Sequence, residues 1–151
     1  MNNASSPVTI LLVEDNEDHV VLIKKALRAN GLVNDIKVAA TGEEALDYLS
    51  RSGEYVDPEA SPRPGLILLD IKLPGIDGIE VLRRIKEDGR LRLIPVVMLT
   101  TSASDHEVVA SYSYGVNSYI QKPVDFTKFV DTVKSLRMYW LLLNTPLPSG
   151  W

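Results

Sequence analysis

The stretch LILLDIKLPGIDG, residues 66–78, runs from a buried strand into a turn through a single acidic residue. Its four consecutive aliphatic residues predict a strand that is covered on both faces, as in a parallel sheet. Asp70 closes this strand, and Pro74, Gly75 and Gly78 then turn the chain. Because ligands of open parallel sheets bind outside the carboxyl ends of the strands, Asp70 is expected at the functional edge.

The rest of the chain repeats this alternation of strand and helix. Apolar runs of strand length alternate with amphipathic helical stretches, which predicts an α/β fold with a doubly wound five-stranded parallel sheet. We expect the flavodoxin-like strand order 2-1-3-4-5 and five helices. The second strand alone alternates polar and apolar residues, so we place it at an edge. The predicted strands cover residues 8–13, 35–39, 66–69, 95–99 and 117–121.

Helix starts are marked by a small polar residue followed three positions later by Glu, the pattern of a capping box. The last helix is predicted over residues 126–143, and the segment 51–65, rich in Pro, Gly and acidic residues, is predicted as a surface loop. The capping pairs are Thr41 with Glu44, Asp77 with Glu80, and Ser104 with Glu107, and the predicted helix stops are Gly31, Gly89 and Gly115.

Length and composition favour one domain in a reducing compartment. The chain has 151 residues, 45% of them hydrophobic, a net charge of -4 and no cysteine. The chain has no block of basic residues, so we expect neither nucleic acid nor an anionic membrane surface as a partner. It has no leader or long apolar run, so we expect a cytoplasmic protein. We expect a disordered N-terminus at 1–7, one domain at 8–143 with no attached effector, and a tail at 144–151.

Acidic residues gather where the predicted strands end. Glu14 and Asp15 follow the first strand, and with the predicted order their neighbour is the strand that ends in Asp70. Two carboxylates about 5 Å apart repel by roughly 3 kcal/mol at an effective dielectric of 20, so a cation or protons must offset the charge. Oxygen ligands without cysteine suit Mg²⁺. A carboxylate nucleophile, the positive charge of Lys122 and the hydroxyl of Thr100 then favour phosphoryl transfer.

Four motifs in this order and spacing resemble the receiver domains of two-component response regulators. They are ED at 14–15, LLDIKLPGIDG at 68–78, MLTT at 98–101 and KP at 122–123, and the resemblance covers about residues 8–137. It implies that Asp70 accepts a phosphoryl group from the phosphohistidine of a sensor histidine kinase. Receiver domains catalyse only their own phosphorylation and dephosphorylation, so no classical enzyme is expected.

The resemblance also assigns roles to the surrounding residues. It implies that Asp15, Asp70 and the backbone carbonyl of Lys72 ligate Mg²⁺, with Glu14 acting directly or through a water. It also implies that Lys122 pairs with the phosphoryl group and that the Lys122–Pro123 peptide bond is cis. Thr100 and Tyr119 would form the switch.

A narrower resemblance is to the small response regulators associated with bacterial phytochromes. It rests on the loop at 51–65, on LTTS at 99–102 and on the ending MYWLLLNTPLP at 138–148. The alternative is a generic stand-alone receiver or a phosphorelay intermediate with another kinase.

Six apolar residues in a row, 138–143, cannot all be buried against the domain's own sheet. We expect a symmetric homodimer through the last helix, with Tyr139, Trp140 and Leu143, and through the face formed by the preceding helix and the fifth strand. Trp140 would be its anchor. The alternative is a tail folded back on the domain. The two histidines, His19 and His106, lack metal-ligand spacing and are predicted to be surface residues.

Two other classes of protein use similar features. A phosphatase of the haloacid dehalogenase type needs an acid two residues after its nucleophile, and Lys72 stands there. A flavin or nucleotide binder needs a glycine-rich turn after the first strand, whereas EDNEDH at 14–19 is acidic and has no glycine. Both classes are therefore disfavoured.

Overall fold

The computed structural model describes residues 8–29, 32, 34–59, 61–101 and 112–136, and five parallel strands form one sheet within them. The strand order is β2-β1-β3-β4-β5, which confirms the predicted topology. Each strand begins and ends within two residues of its predicted bounds. The strands are β1 (Ile10–Val13), β2 (Ile36–Ala39), β3 (Leu66–Asp70), β4 (Val96–Thr100) and β5 (Ser118–Gln121).

The register of the sheet aligns the carboxyl ends of its strands along one edge. Ile10 of β1 pairs with Ile36 of β2 on one side and Leu66 of β3 on the other. Asp70 at the end of β3 pairs with Leu99, one residue before β4 ends. All residues of β1, β3 and β4 are buried, as expected for strands covered by helices on both faces, while β2 and β5 lie at the edges.

Four α-helices lie wholly within the described ranges: α1 (Glu17–Arg28), α2 (Gly42–Ser50), α3 (Gly78–Glu87) and α4 (Phe126–Ser135). Each begins after a polar residue whose side chain accepts a hydrogen bond from a backbone N–H of the first turn. None of these helices is long and apolar enough to cross a bilayer. The predicted fourth helix starts at Ser104, and residues 102–111 lie outside the described residues, as do residues 137–143 of the predicted last helix.

The helices cover the sheet as two layers, one on each face. On one face α2 and α3 bury an apolar cluster that includes Leu69 and Val81, and on the other α1 and α4 bury a cluster that includes Leu12 and Phe129. Phe129 is 1% exposed and is among the largest fully buried side chains. Because burial stabilises by about 25 cal/mol per Å² of apolar surface, these two layers hold the strand ends in a fixed arrangement.

The segment 51–65 is tied to α2 by side-chain hydrogen bonds. Tyr48 donates its hydroxyl to the carbonyl of Pro62 at 2.7 Å, and Tyr55 donates to Glu44 Oε2 at 2.6 Å. The hydrogen bond to the carboxylate of Glu44 raises the pKa of Tyr55 to about 12. The rings of Tyr48 and Tyr55 meet edge to face, with centroids 5.2 Å apart. The predicted loop therefore has a defined attachment to the domain.

We expect Tyr55→Phe to lower the free energy of unfolding by about 1 kcal/mol, because it removes one hydrogen bond to a charged acceptor while keeping the ring. Urea denaturation followed by circular dichroism measures this change. Tyr114→Phe is the matched control, since Tyr114 is 42% exposed. A Tyr55→Phe midpoint equal to that of the control would show that the tether adds no stability.

Candidate functional site

Three carboxylates converge at the carboxyl edge of the sheet. Glu14 follows β1, Asp15 comes next, and Asp70 ends the neighbouring strand β3. One oxygen from each lies within 4.8 Å of the others. Glu14 is 1% exposed and Asp70 is 7% exposed, whereas Asp15 faces solvent. The structure thus brings the predicted acids into one cluster with an open side.

The turn after β3 is packed so closely that only glycine fits at its end. Gly78 opens α3, and its N–H donates to the carbonyl of Ile71 at 2.8 Å. A Cβ atom at Gly78 would lie 2.2 Å from the carbonyl oxygen of Asp70 and 2.8 Å from Cα of Ile71. Asp77 caps the helix by accepting from the N–H of Glu80 at 2.9 Å. This packing fixes the backbone that carries Asp70.

Lys122 brings a positive charge to the acids from the far side of the site. Its backbone N–H extends the pairing of β4 and β5 by donating to the carbonyl of Thr100 at 2.7 Å. Its ammonium lies 2.6 Å from Glu14 Oε1 and 3.4 Å from Asp70 Oδ2, and its side chain is only 11% exposed. The Lys122–Pro123 peptide bond is cis, as the resemblance implies.

Burial raises the pKa of Asp70 from its usual value of 3.8 to about 6. The next contribution in the same direction is the negative charge of Glu14, while the ammonium of Lys122 and a backbone hydrogen bond from Lys72 act in the opposite direction. Burial is the largest cause of the raised pKa, and the negative charge of Glu14 adds to it despite the nearby ammonium of Lys122. Additional positive charge at the site would therefore be stabilised.

Two of the other predicted site residues, Thr100 and Lys72, lie beside the acids, whereas Tyr119 does not line the same cavity. Thr100 ends β4, is 4% exposed, and with Asp70 and the exposed Lys72 lines a cavity of about 210 Å³. Tyr119 lies in β5, half-buried, and its ring meets that of Tyr112 edge to face at 6.2 Å. The cavity thus joins the acids, the lysine and the threonine, and Tyr119 lies outside it.

His19 lies at the surface as predicted, with its side chain 40% exposed, but it also lines the site, a role that the sequence did not indicate. Its Nδ1 atom lies 3.0 Å from the ammonium of Lys122 and 3.7 Å from Glu14 Oε2. The helical position of His19, three residues into α1 and close to the acidic pair, was the available sequence signal. His106 lies outside the described residues, as do Tyr139, Trp140 and Leu143.

The donor set fits a hard divalent cation. The cluster offers three carboxylates and no sulfur, the ligand type that Mg²⁺ prefers, and the solvent-facing side leaves room for water or phosphate oxygens. A cation there would also stabilise the ionised form of Asp70, whose pKa is raised by burial and by Glu14. Among the described residues, no other group of three His, Cys, Asp or Glu side chains has ligand atoms close enough to hold a metal.

Residues 10–134 match the family model described as the response regulator receiver domain. Among curated proteins, the chain is 44% identical over 147 residues to the probable methanogenesis regulatory protein FilR2 of Methanothrix harundinacea, covering 97% of this chain and 92% of FilR2. It is 39% identical over 149 residues to the response regulator Rcp1 of Synechocystis sp., covering 99% of both chains.

Solved structures with the same architecture include two phytochrome response regulators and a metal-bound one. The bacteriophytochrome response regulator RtBRR aligns with a TM-score of 0.82 at 44% identity, over 95% of this chain and 86% of its own. The phosphorylated cyanobacterial phytochrome response regulator RcpA gives 0.74 at 40%, over 95% and 99%. The Mn²⁺-bound form of Rcp1 gives 0.72 at 39%, over 95% and 100%.

Proposed function

The chain belongs to the response regulator receiver family, and from this premise we propose that Asp70 accepts a phosphoryl group from a sensor histidine kinase. The observation that carries the proposal is the placement of a buried carboxylate, Asp70, beside two further acids and the ammonium of Lys122. The similarity of the chain to phytochrome response regulators supports a phytochrome as the kinase. Phosphorylation in the cytoplasm would then change the affinity of the protein for a partner protein.

The proposed transfer moves one phosphoryl group between two side chains. An oxygen of ionised Asp70 attacks phosphorus, the new P–O bond forms, and the P–N bond of the kinase phosphohistidine breaks. The electron pair of that bond returns to the ring nitrogen, and the histidine leaves as neutral imidazole when its other nitrogen already carries a proton. With a pKa of about 6, Asp70 is mostly ionised at neutral pH and ready to attack.

Lys122 and Thr100 would provide the charge and hydrogen bonds that the transferred group needs. The ammonium of Lys122 is 3.4 Å from Asp70 Oδ2, so it is close enough to offset charge on phosphoryl oxygens bound there. Thr100 ends the neighbouring strand on the same cavity, where its hydroxyl could donate to one of those oxygens. Thr100 pairs with Gln121 of the neighbouring strand β5, and Tyr119 lies two positions before Gln121 on that strand. As the hydroxyl of Thr100 moves toward the phosphoryl group, the ring of Tyr119 would turn inward, and the two residues would form the switch.

Mg²⁺ is the proposed cofactor. Glu14, Asp15 and Asp70 would hold it, Glu14 directly or through a water, with the backbone carbonyl of Lys72 as a further ligand. When bound, the ion neutralises carboxylate charge and accepts phosphoryl oxygens. The Mn²⁺-bound form of Rcp1 supports a divalent ion here.

We also propose that a homodimer forms through Tyr139, Trp140 and Leu143.

Intact-mass spectrometry with acetyl phosphate and Mg²⁺ tests the proposed acceptor. Wild type is expected to gain the mass of one phosphoryl group, and Asp70→Asn is expected to gain none, because it lacks the nucleophilic oxygen. Asp131→Asn, an exposed aspartate on α4, is the matched control and is expected to react like wild type. A phosphoryl group on Asp70→Asn, or an unmodified wild type, would contradict the proposal.

A stand-alone receiver served by another kinase is the second candidate. The 44% identity to the probable methanogenesis regulatory protein FilR2 favours it, because near-full-length likeness then extends beyond the phytochrome response regulators. Transfer from a panel of radiolabelled histidine kinases, including a phytochrome, distinguishes the two. Preferential transfer from the phytochrome at short times supports the first candidate, and its absence supports the second.

A further inference from the structure

The ammonium of Lys122 has three acceptors of two different kinds. Glu14 Oε1 at 2.6 Å and Asp70 Oδ2 at 3.4 Å are carboxylate oxygens, whereas the third acceptor, at 3.0 Å, is Nδ1 of His19. A lysine ammonium has three N–H donors and no acceptor, so Nδ1 must accept and the ring proton lies on Nε2. His19 therefore offers Lys122 a ring nitrogen, where the other two partners offer carboxylate oxygens.

The backbone at the start of α1 places His19 and Glu14 together. The side chain of Asn16 caps α1 by accepting from the N–H groups of Asp18 at 2.9 Å and His19 at 3.1 Å. The N–H of Asn16 itself donates to Glu14 Oε2 at 3.2 Å. One capped turn thus orients both the imidazole and the carboxylate towards Lys122, from a segment about a hundred residues away in sequence.

The two kinds of acceptor would behave differently once the site is used. The carboxylates of Glu14 and Asp70 are the groups that a divalent ion and the phosphoryl group would engage. A carboxylate also cancels the charge of the ammonium, whereas a neutral nitrogen gives a directional hydrogen bond and leaves that charge available. His19 is therefore the acceptor suited to hold Lys122 in both states of the site.

We propose that His19 is a positioning residue, which holds the ammonium of Lys122 over Asp70 so that its charge can act on the phosphoryl group. The inference rests on the proposed function. It assigns His19 no contact with the phosphoryl group and no transfer of a proton. Its expected effect is on the rates at which the aspartyl phosphate forms and is hydrolysed, because both depend on the placement of this charge.

Two substitutions at His19 separate positioning from helix stability. Asn keeps an acceptor oxygen at the same bond separation as Nδ1, whereas Leu has a similar branch without an acceptor. We expect His19→Leu to lower the rate constant for phosphorylation by acetyl phosphate about fivefold to tenfold, the effect of one lost hydrogen bond. His19→Asn should stay within about twofold of wild type, although Asn is the poorer helix former.

A double-mutant cycle tests whether His19 acts through Lys122. In a Lys122→Met background, His19→Leu should change the phosphorylation rate by less than about twofold, because the group it positions is gone. An equal loss in both backgrounds, or a His19→Asn variant slower than His19→Leu, would overturn the inference. Circular dichroism and urea midpoints of all variants verify that they are folded.

The outcome for wild type distinguishes the two levels of the proposal. If wild type takes up no phosphoryl group from acetyl phosphate, the proposed function fails and the positioning role fails with it. If wild type is phosphorylated and His19→Leu reacts at the same rate, only the positioning role of His19 is wrong. The same cycle applied to hydrolysis of the phosphorylated proteins, after removal of acetyl phosphate, gives a second reading with the same expected ranking.

Discussion

Metal-free Asp70→Asn protein should be more stable than wild type at neutral pH, by about 2 to 3 kcal/mol. Folding places Asp70 where burial and Glu14 raise its pKa from 3.8 to about 6. Above pH 6 the carboxylate is ionised in both states, and the folded state carries the full cost of its charge. Asparagine has no such charge, and Lys122 retains Glu14 and His19 as partners.

The pH dependence of this difference gives its sign. As pH falls from about 6 to about 4, folded wild type binds a proton at Asp70 before the unfolded chain does, so its stability rises relative to the variant. The gap measured by urea denaturation should therefore shrink through this window. Asp131→Asn, the exposed control, should stay within about 0.5 kcal/mol of wild type throughout. A destabilised Asp70→Asn at neutral pH, or a gap independent of pH, would contradict the interpretation.

Gly78→Ala should lower the free energy of unfolding by about 2 to 4 kcal/mol. The new Cβ would meet the carbonyl oxygen of Asp70 at 2.2 Å and two backbone atoms of Ile71 at 2.8 and 2.9 Å. Backbone atoms cannot turn aside as a side chain can, so the end of β3 or the start of α3 must shift. Urea denaturation measures the stability, and the phosphorylation rate with acetyl phosphate should fall as Asp70 moves.

Two other glycines provide the controls for Gly78. A Cβ at Gly89 would meet nothing within 4 Å, so Gly89→Ala should change stability by no more than about 0.5 kcal/mol. At Gly42 the nearest atoms belong to the side chains of Val81 and Ile76, at 2.7 and 2.8 Å, which can adjust in part. The expected order of damage is Gly78, then Gly42, then Gly89. A Gly78→Ala protein as stable as Gly89→Ala would show that the turn can accommodate a Cβ atom at Gly78.

The fold was predictable because the local patterns agree with one another. Unbroken aliphatic runs such as 66–69 are stable in a strand that is covered on both faces. Polar residues such as Thr41 and Asp77 mark the helix starts, because their side chains cap the first turn. The order of the strands followed from a topology that such alternation favours. The hydrogen bonds that fasten 51–65 to α2 were not predictable, because they join side chains to carbonyls across an aperiodic segment.

The members of the site were predictable to the extent that each ends a strand. Asp70 and Thr100 stand at the ends of β3 and β4, so topology alone assigns them to one edge. The partners of Lys122 could not be read in the same way. His19 lies inside a helix, where its direction depends on how α1 packs, and the 2.6 Å contact of Lys122 with Glu14 depends on the path of two loops.

The ion pair between Glu14 and Lys122 joins positions 108 residues apart. During synthesis on the ribosome, the amino-terminal acids emerge long before this lysine, and a domain of this kind folds as a unit. A nascent chain thus carries an unbalanced acidic half until its final strand docks. The contact between the acids and the lysine is therefore complete only once the last strand has joined the sheet, so unfinished copies would lack the proposed phosphoryl acceptor site.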